Sequence, residues 1–574
     1  MSITHTATVN GGRTSRKPVR LIARLRQEFV TNPCDNDRQF IPCGKLKELC
    51  DEQAVTQELV RAFPEHDAAF CQLRARLICH GQAEDGSVTP QPCLRIFTIL
   101  VLLGQTRLIE TFLQHKLCDN DLPFSSKPGF TALYSPQHQD ATHLSFSDEE
   151  DPYHIIKSFS NDQWSVLAPC FAPPTARDTR CDVHDLHTHT ILPIEEISKK
   201  QYPGGFGLVE KVKIHRDHNG FRHEHFALKT MHPMAPDERD KFFQQELDAF
   251  QQARPGGHII EICAAFKKGE KRGFLFPWAD GGTLNHLWRR TPHEIVKSAR
   301  VEWSEFSRWV CVQCHGIIRD LFAIHEPYVM SAKKDEDLYG IHGDIKPDNV
   351  LYFTQDGSSL GTLKVSDLGL MKFHRLISRT AHSKSMGFAY QTYRAPEHDM
   401  NKVRSRKIDI WAFGCLFAEF ATWAMGGHNA IEQFKNYRLD EDKGNSDESK
   451  GEWSEDNFFI LKTNLFSQNK VAKRKSSVDE NKMSNDDFSK WFTVLIKDLG
   501  PDMTNTFFPE FLRFIQNSML DPDRKHRADC KAVESFLGRL LAISPESPYW
   551  KFSGTRSYPN GGATWTSSTG TPTW

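Results

Sequence analysis

Residues 342–353 read HGDIKPDNVLYF and place three polar side chains close together ahead of an apolar run. Asp344 lies two residues after the histidine, Lys346 follows it by two positions, and Asn349 follows by three more. The run VLYF that comes next is typical of a short strand. A further acidic residue, Asp367, lies in KVSDLGL, directly after a second strand-like run. The pattern predicts that these four side chains meet at the ends of two neighbouring strands.

The segment between the two strand-like runs, TQDGSSLG, contains the Asp-Gly pair that is typical of a β-hairpin turn. The amide oxygen of Asn349 and the carboxylate of Asp367 suit Mg²⁺, which prefers oxygen ligands and substrate phosphates. Asp344 can accept a proton from a hydroxyl nucleophile. Lys346 can offset charge on a transferring phosphoryl group. The alternative for this stretch is an Asx-rich turn in a hairpin that has no catalytic role.

A glycine-rich turn lies upstream, in YPGGFGLVEKV at 202–212. Its glycines, Gly204, Gly205 and Gly207, let backbone N–H groups approach phosphates because no Cβ stands in the way. Glycine-rich hairpin turns are common, so this signal is weak when it is taken by itself.

The next predicted strand, FALKT, places Lys229 in apolar surroundings, where a lysine needs an anionic partner. On the following predicted helix Phe242, Glu246 and Phe250 are spaced four apart and share one face. Glu246 therefore points inward and can pair with Lys229. The alternative is a surface helix with one glutamate beside its apolar stripe.

Taken together, these motifs occur in the order seen in the eukaryotic protein kinase family. With APE at 395–397 and DIWAFG at 409–414, the chain resembles that family over about 192–543. Lys346 in DIKPDN resembles the serine/threonine type. The resemblance implies an α+β, bilobal fold with a small β-rich N-lobe and a larger helical C-lobe, preceded here by a mostly helical N-terminal domain.

The resemblance also implies roles for individual residues, with ATP as co-substrate and Mg²⁺ as cofactor. Asp344 is expected to be the catalytic base, assisted by Lys346, and Asn349 and Asp367 are expected to hold Mg²⁺. Lys229 is expected to hold the α- and β-phosphates and to be oriented by Glu246. The expected ATP-binding residues are Gly204, Gly205, Gly207, Val209, Ala227, Lys229, Pro277, Trp278, Ala279 and Leu351.

Two structural relationships follow from the same resemblance. Phe250, His342 and Leu368 match positions that stack in an assembled kinase, anchored by Asp409. Glu397 of APE is expected to pair with a basic residue of DPDRKHR at 521–527, with Arg524 preferred and Lys525 or Arg527 as alternatives.

Three departures from the family pattern leave other functions open. Tyr202 replaces the first glycine of the loop, Gly343 replaces the usual arginine between histidine and aspartate, and Tyr390 stands where a threonine is usual. HGD also occurs in small-molecule phosphotransferases, although DLG, YRAPE and DIWAFG argue against that class. The alternative from another class is a pseudokinase, which would bind partners without turnover.

Composition limits the remaining classes. With 72 Lys and Arg against 73 Asp and Glu, the net charge of −1 argues against a globally basic nucleic-acid binder. Fourteen cysteines in 574 residues are too few for a disulfide scaffold, and the longest apolar run, 96–104, is too short to span a membrane. We therefore expect an intracellular, cytoplasmic protein that binds ATP, protein substrates and an unknown partner of its N-terminal domain, with no nucleic acid or membrane partner.

Patterning along the chain predicts five segments. They are a disordered N-terminus (1–20), a helical N-terminal domain (21–125), an irregular His/Pro-rich linker (126–190), the kinase domain (191–543) with a polar surface insertion (436–490), and a disordered tail (544–574).

Three further motifs resemble binding or signal sequences, but each is interpreted as an ordinary part of the fold. CVQCH at 311–315 matches a haem-attachment string but lies in a helical pattern, and CDVHDLHTH at 181–189 crowds its metal-binding residues on one short loop. KVAKRKSS at 470–477 is interpreted as a solvated loop, with nuclear import or phosphorylation of Ser476 as alternatives.

Overall fold

The computed structural model describes residues 19–81, 91–137, 143–173, 181, 183–203, 207–233, 235–252, 257–325, 338–368, 372–375, 391–400, 405–443, 456–463, 470–474 and 487–554. The chain divides into two compact units. Unit 1 comprises Met1–Pro173, Leu186–Ser198 and Val212–Glu224, and unit 2 comprises Pro174–Asp185, Lys199–Lys211 and His225–Trp574.

Unit 1 is mostly helical. Asp51 and Asp67 cap two of its helices by accepting hydrogen bonds from Ala54 N–H and Phe70 N–H, which satisfies backbone donors that have no partner inside the helix. The apolar run at 96–101 is buried throughout and forms the centre of the core. The helices are α1 (Leu21–Gln27), α2 (Cys43–Leu49), α3 (Glu52–Ala62), α4 (Ala68–His80), α5 (Leu94–Leu103), α6 (Ile109–Gln114) and α7 (Pro152–Asp162).

The segment expected as an irregular linker, 126–190, differs in the structure. It contains α7, whose Ile156 and Phe159 are fully buried in the core of unit 1. The helix begins after Asp151, whose side chain accepts from His154 N–H, and proline occupies its first turn. This start signal is present in the sequence, but the many Pro, His and Asp residues around it obscured the short amphipathic pattern.

Most strands pair in two-stranded sheets, and six of them form one sheet with the order β5-β9-β10-β8-β7-β6, in which β10 pairs antiparallel with both β8 and β9. Alternating burial along β7 and continuous burial along β8 and β10 give this sheet its core face. The strands are β1 (Val30–Thr31), β2 (Gln39–Phe40), β3 (Ser125–Ser126), β4 (Leu133–Tyr134), β5 (Val183–Leu186), β6 (Ile194–Pro203), β7 (Gly207–Ile214), β8 (His225–Met231), β9 (Ala264–Lys268), β10 (Lys271–Pro277), β11 (Leu338–Ile341), β12 (Val350–Phe353), β13 (Thr362–Val365), β14 (Lys372–Arg375), β15 (Phe459–Thr463) and β16 (Lys470–Arg474).

Unit 2 contains strands β8, β9 and β10 of this sheet, helix α8 (Pro236–Gln252) and a large helical part. The pair β12–β13, in which Val350 faces Val365, forms the hairpin that the Asp-Gly signal predicts. An apolar core lies between the long helices of the C-terminal half. The helices of unit 2 are α8 (Pro236–Gln252), α9 (Leu284–Trp288), α10 (Pro292–Ala299), α11 (Trp303–His325), α12 (Lys407–Lys443), α13 (Asp487–Asp498), α14 (Phe507–Phe514) and α15 (Cys530–Leu541).

Helix α12 is the central helix of this core. It bends at Gly427, whose φ of +71° is a left-handed conformation that glycine adopts without strain. Its stretch Lys407–Leu439 is long and apolar enough to cross a membrane by length and composition, but the most apolar part is entirely buried inside the protein. Trp411 and Trp423 are both fully buried. The hydrophobicity of α12 therefore reflects its position in the core.

Two segment boundaries expected from the sequence are wrong. The insertion expected at 436–490 begins inside α12, and Phe458 is fully buried rather than on the surface. The tail expected to be disordered from 544 packs as far as Trp550 and Phe552, which are buried. In both places a few aromatic residues inside a polar segment bury enough apolar area to hold the chain against the core. The polar composition of the whole segment predicted exposure and gave no sign of these single buried residues.

Candidate active site

Lys229 on β8 and Glu246 on α8 form a buried ion pair. Lys229 Nζ donates to Glu246 Oε1 over 2.7 Å, and only 7% of Lys229 and 2% of Glu246 is exposed. The continuously apolar strand places the lysine inside, and the spacing of Phe242, Glu246 and Phe250 turns the glutamate toward it. The pairing expected from the sequence is therefore present.

The same lysine reaches a second carboxylate. Lys229 Nζ donates to Asp367 Oδ1 over 3.0 Å, although 138 residues separate them. Asp367 has a φ of +61°, an uncommon conformation that aspartate tolerates better than most residues. Burial alone would raise the pKa of Asp367, but the ammonium of Lys229 outweighs it and holds the pKa below its ordinary value. Asp367 therefore remains a carboxylate at neutral pH, which suits a metal ligand.

The loop before β12 gathers the other polar residues. Lys346 Nζ donates to Asp344 Oδ2 over 2.9 Å, and Asn349 Nδ2 donates to both Asp344 O and Asp344 Oδ2, over 2.8 and 2.9 Å. The three residues thus form one hydrogen-bonded cluster, with Asp344 8% exposed and Asn349 2% exposed. Asp344 is held in one orientation from two sides, as a proton acceptor at a reacting centre requires.

Asp409, at the start of α12, binds the backbone of the loop that carries Asp344. Its carboxylate accepts from His342 N–H and Gly343 N–H, each over 2.9 Å, and contacts His325 Nε2 over 2.9 Å. Burial would raise the pKa of Asp409, but the hydrogen bond from His325 and the surrounding donors lower it below its ordinary value. Gly343 has a φ of +78°, so its backbone turns without strain to present both amides to one carboxylate.

The orientation of Asn349 tests whether the site fits Mg²⁺. Because Nδ2 makes both hydrogen bonds to Asp344, the amide oxygen Oδ1 is directed away from that residue. On Asp367, Oδ1 is bound by Lys229, which leaves Oδ2 as the second oxygen of the set. An amide oxygen and a carboxylate oxygen are the donors that Mg²⁺ prefers, and substrate phosphates complete such sites. These residues therefore fit the ion.

Family comparison agrees with this geometry. The model of the protein kinase domain matches residues 203–535, which is more than half of the chain. The chain belongs to the protein kinase family. The bilobal α+β architecture expected from the sequence is thereby confirmed.

Its relatives include serine/threonine and cyclin-dependent kinases. The chain is similar to cyclin-dependent kinase 8 of Caenorhabditis briggsae, with 26% identity over 40% of this chain and 35% of that protein. It is also similar to cyclin-dependent kinase-like 4 of Mus musculus, with 36% identity over 29% of this chain and 40% of that protein. A probable serine/threonine-protein kinase MRK1 homolog of Encephalitozoon cuniculi is 28% identical over 38% of this chain and 56% of that protein. The chain thus spans about a third of the length of the cyclin-dependent kinase 8 relative that it matches.

The kinase domain connects its sheet to its helical part through residues 277–279. Trp278 N–H donates to His225 O over 3.2 Å, and Pro277 has no N–H. Among these three residues, Ala279 is therefore the one whose backbone N–H can serve a nucleotide base. Val209, Ala227 and Leu351, expected to enclose the adenine, are buried in one apolar cluster with Ala279.

The glycine-rich loop is described only at its ends. Gly204 and Gly205 lie outside the described residues, and Gly207 begins β7. Its backbone lies against β8, since a Cβ added to Gly207 would come within 2.5 Å of Thr230 O. Tyr202, which replaces the first glycine, packs against Trp278 with 5.8 Å between ring centroids.

The partner of Glu397 differs from the residue preferred on the basis of the sequence. Arg527, rather than Arg524, binds both carboxylate oxygens, with Nη1–Oε1 at 2.8 Å and Nη2–Oε2 at 2.9 Å. Both residues are 1% exposed. Three basic residues occur in DPDRKHR, and no periodic pattern in this turn tells which of them points inward.

Sequence analysis also missed a buried polar network in the same domain. Arg438 on α12 binds Glu419 over 2.9 Å and Asp456 over 2.8 Å, and Tyr393 donates its hydroxyl to Glu419 over 2.5 Å. The charges of Arg438 and Asp456 appeared in the sequence as part of a solvated insertion. Only the fold brings them to Glu419, which lies on α12 before the bend at Gly427.

The motifs interpreted without a ligand behave differently from one another. Cys311 and Cys314 of CVQCH are buried on α11, as the helical interpretation expects. In CDVHDLHTH, the ring of His187 stacks on Trp164 with centroids 4.5 Å apart, within unit 1. Ser476 and Tyr390 lie outside the described residues.

Proposed function

We propose that this protein is an active serine/threonine protein kinase that transfers the γ-phosphoryl group of Mg·ATP to hydroxyls of protein substrates. The observation that carries the proposal is the chain of contacts from Glu246 through Lys229 to Asp367. The same lysine thus contacts the glutamate that orients it and the aspartate expected to bind Mg²⁺. Relatives named as serine/threonine kinases support the same substrate class.

In the proposed mechanism the residues of the chain orient the reactants and move one proton. Mg²⁺, when bound by Asn349 and Asp367, supplies positive charge that offsets the phosphates. Asp344 accepts the hydroxyl proton through Oδ1, because the contacts from Lys346 and Asn349 are made to Oδ2. Lys346 lies beside Asp344 and stabilises negative charge on the transferred group as it moves.

Saturating Mg·ATP is expected to raise the melting temperature of the full-length protein. At a ligand concentration 100-fold above Kd, the stabilisation is about 2.7 kcal/mol. Lys229→Met should reduce the shift, since the α- and β-phosphates lose their cation, whereas Lys271→Met, an exposed lysine on β10, should leave it unchanged. Differential scanning fluorimetry with and without Mg²⁺ measures this.

The second candidate is a binding scaffold without turnover. The contact of Tyr202 with Trp278 favours it, because a large ring at the position of the first glycine lies against the segment expected to meet the nucleotide base. If wild type shows no thermal shift at millimolar ATP with Mg²⁺, the scaffold becomes the better interpretation. Turnover of generic protein substrates with labelled ATP would exclude the scaffold. Turnover of small molecules alone would indicate a small-molecule phosphotransferase.

Basal activity is expected not to depend on phosphorylation of the segment between Asp367 and Glu397. Many kinases carry an arginine at the position of Gly343, whose charge a phosphate neutralises, and here that charge is absent. Arg406, a possible substitute, donates to His325 O over 2.9 Å. Turnover should remain within about twofold after phosphatase treatment, with the bare segment verified by mass spectrometry. A large loss that rephosphorylation restores would show that another basic residue binds the phosphate.

An intracellular, cytoplasmic location is part of the same proposal. Fourteen cysteines in 574 residues are too few for a disulfide scaffold, which is typical of proteins that work in a reducing compartment. The basic stretch at 470–477 keeps nuclear import as an alternative, and microscopy of a tagged protein with and without this stretch distinguishes the two.

A further inference from the structure

Two cysteines that are far apart in the sequence lie next to each other in unit 1. Cys43 Sγ, at the first position of α2, is 3.5 Å from Cys170 Sγ, although 127 residues separate them. His218 is the third member of the group, with Nδ1 3.6 Å from Cys170 Sγ. We refer to Cys43, Cys170 and His218 as the thiol cluster. All three residues belong to unit 1, outside the kinase active site.

Backbone contacts hold the thiol cluster in place. Cys43 Sγ is 2.9 Å from Asp217 O, and Lys45 N–H donates to Asp217 Oδ2 over 3.1 Å. Gly44 allows this close approach, since a Cβ at that position would lie 2.5 Å from the same carboxylate oxygen. The first turn of α2 is therefore docked against residues 217–218, and the two sulfur atoms face each other as a result.

The hydrogen bonds of His218 argue against a metal centre. Cys43 N–H donates to His218 Nε2 over 3.0 Å, so Nε2 carries the lone pair. Nδ1 then carries the proton, and it lies 3.0 Å from its acceptor, Pro169 O. The nitrogen that faces Cys170 is thus protonated, and a protonated nitrogen cannot bind a metal. Two sulfur ligands remain, fewer than the four ligands of a structural zinc site or the three protein ligands of a catalytic one.

The two thiols differ in accessibility and in proton affinity. Cys170 is exposed, whereas Cys43 is only partly exposed. The hydrogen bond between the two sulfur atoms lowers the pKa of Cys170 to about 6 and raises the pKa of Cys43 to about 12. Arg95 and Lys47 add positive charge near Cys170. An accessible thiolate beside a protonated second thiol is the arrangement that oxidation-sensitive cysteine pairs require.

We propose that Cys170 and Cys43 form a reversible, peroxide-sensitive dithiol, in which Cys170 is the attacking residue and Cys43 the resolving one. The inference rests on the 3.5 Å separation of the sulfurs and on the proton held by His218 Nδ1. It concerns unit 1 alone and does not depend on the proposed kinase activity.

The oxidant is hydrogen peroxide, and the reaction proceeds in two steps. The Cys170 thiolate attacks one peroxide oxygen, so that an S–O bond forms and the O–O bond breaks, and the leaving hydroxide takes a proton from solvent to become water. Cys43 then attacks the sulfur of the Cys170 sulfenic acid, an S–S bond forms, and the departing hydroxide takes the Cys43 proton to leave as a second water. Two thiols lose two electrons in total to one peroxide, and a dithiol reductant returns them.

The test uses the reduced full-length protein and hydrogen peroxide. A non-reducing digest analysed by mass spectrometry should contain a peptide pair linked through Cys43 and Cys170, which dithiothreitol separates. In Cys43→Ser the Cys170 sulfenic acid should persist and react with dimedone, whereas Cys170→Ser should lose both the link and the dimedone product. Cys79→Ser is the matched control, because burial raises the pKa of that partly exposed thiol to about 12, and the variant should behave as wild type.

Rates give a second, independent measure. At neutral pH Cys170 should be alkylated on the order of 100-fold faster than Cys79, since its larger thiolate fraction is only partly offset by lower intrinsic nucleophilicity. Equal rates for the two cysteines, or peroxide treatment that leaves Cys43 and Cys170 unlinked, would overturn the proposal. So would stoichiometric zinc in the isolated protein that Cys170→Ser removes, because it would identify the thiol cluster as a metal centre.

Discussion

Asp344→Asn is expected to lower kcat by about 10²-fold or more while the protein remains folded. The substitution removes the proton acceptor but hardly changes the volume of the side chain. The new amide can still accept from Asn349 Nδ2, so the loop that Asp409 anchors should keep its conformation. Asp367→Ala should cause a loss of similar size through a different step, because it removes the oxygen ligand beside Lys229.

The matched control for this prediction is Asp356→Asn. Asp356 lies on the β12–β13 hairpin turn, where its exposed side chain pairs with Lys364 over 2.7 Å. The same chemical change there should leave kcat within about twofold of wild type, since surface ion pairs contribute little. Steady-state kinetics with labelled ATP, together with melting temperatures, separate loss of chemistry from loss of fold. Wild-type turnover in purified Asp344→Asn would exclude Asp344 as the base.

Arg527→Met is expected to cause the largest loss of stability, about 3–5 kcal/mol, because it leaves the Glu397 carboxylate buried without its partner. Arg527 also donates Nε to Asp521 O and Nη1 to Lys407 O, and its guanidinium lies 5.0 Å from the centre of the Trp411 ring. One side chain thus joins three segments of the kinase domain. Urea denaturation of the full-length protein, followed by circular dichroism, measures the change.

Arg524→Met provides the comparison, since sequence analysis preferred that residue as the partner. Arg524 is partly exposed, and Arg527 already binds both carboxylate oxygens of Glu397, so replacement of Arg524 should cost less than about 1 kcal/mol. The double variant Glu397→Gln with Arg527→Met should be less unstable than the sum of the single variants, because neither charge is then left unpaired. Equal losses for Arg524→Met and Arg527→Met would contradict the assignment of the pair.

The sequence by itself determined the protein kinase fold and which residues are candidates for the active site. Motif order identified Lys229, Glu246, Asp344, Asn349 and Asp367, and the Asp-Gly pair identified the β12–β13 hairpin. The contact between Lys229 and Glu246 and the β12–β13 hairpin are present in the structure, because both depend on local rules. Helical spacing turns Glu246 toward the core. The hairpin turn pairs β12 with β13, which brings Asn349, before β12, close to the residues that follow β13.

Tertiary structure alone decided which distant residues meet. Arg527 rather than Arg524 reaches Glu397, Arg438 finds Glu419 and Asp456, and Cys170 comes to lie beside Cys43. Arg527, Asp456 and Cys170 lie in turns or loops, where no period shows which side chain points inward, and Glu419 and Arg438 lie on α12 on either side of its bend at Gly427. A buried charge or thiol is stable only with its partner, and that partner is chosen by packing across the whole unit rather than by neighbours in the sequence.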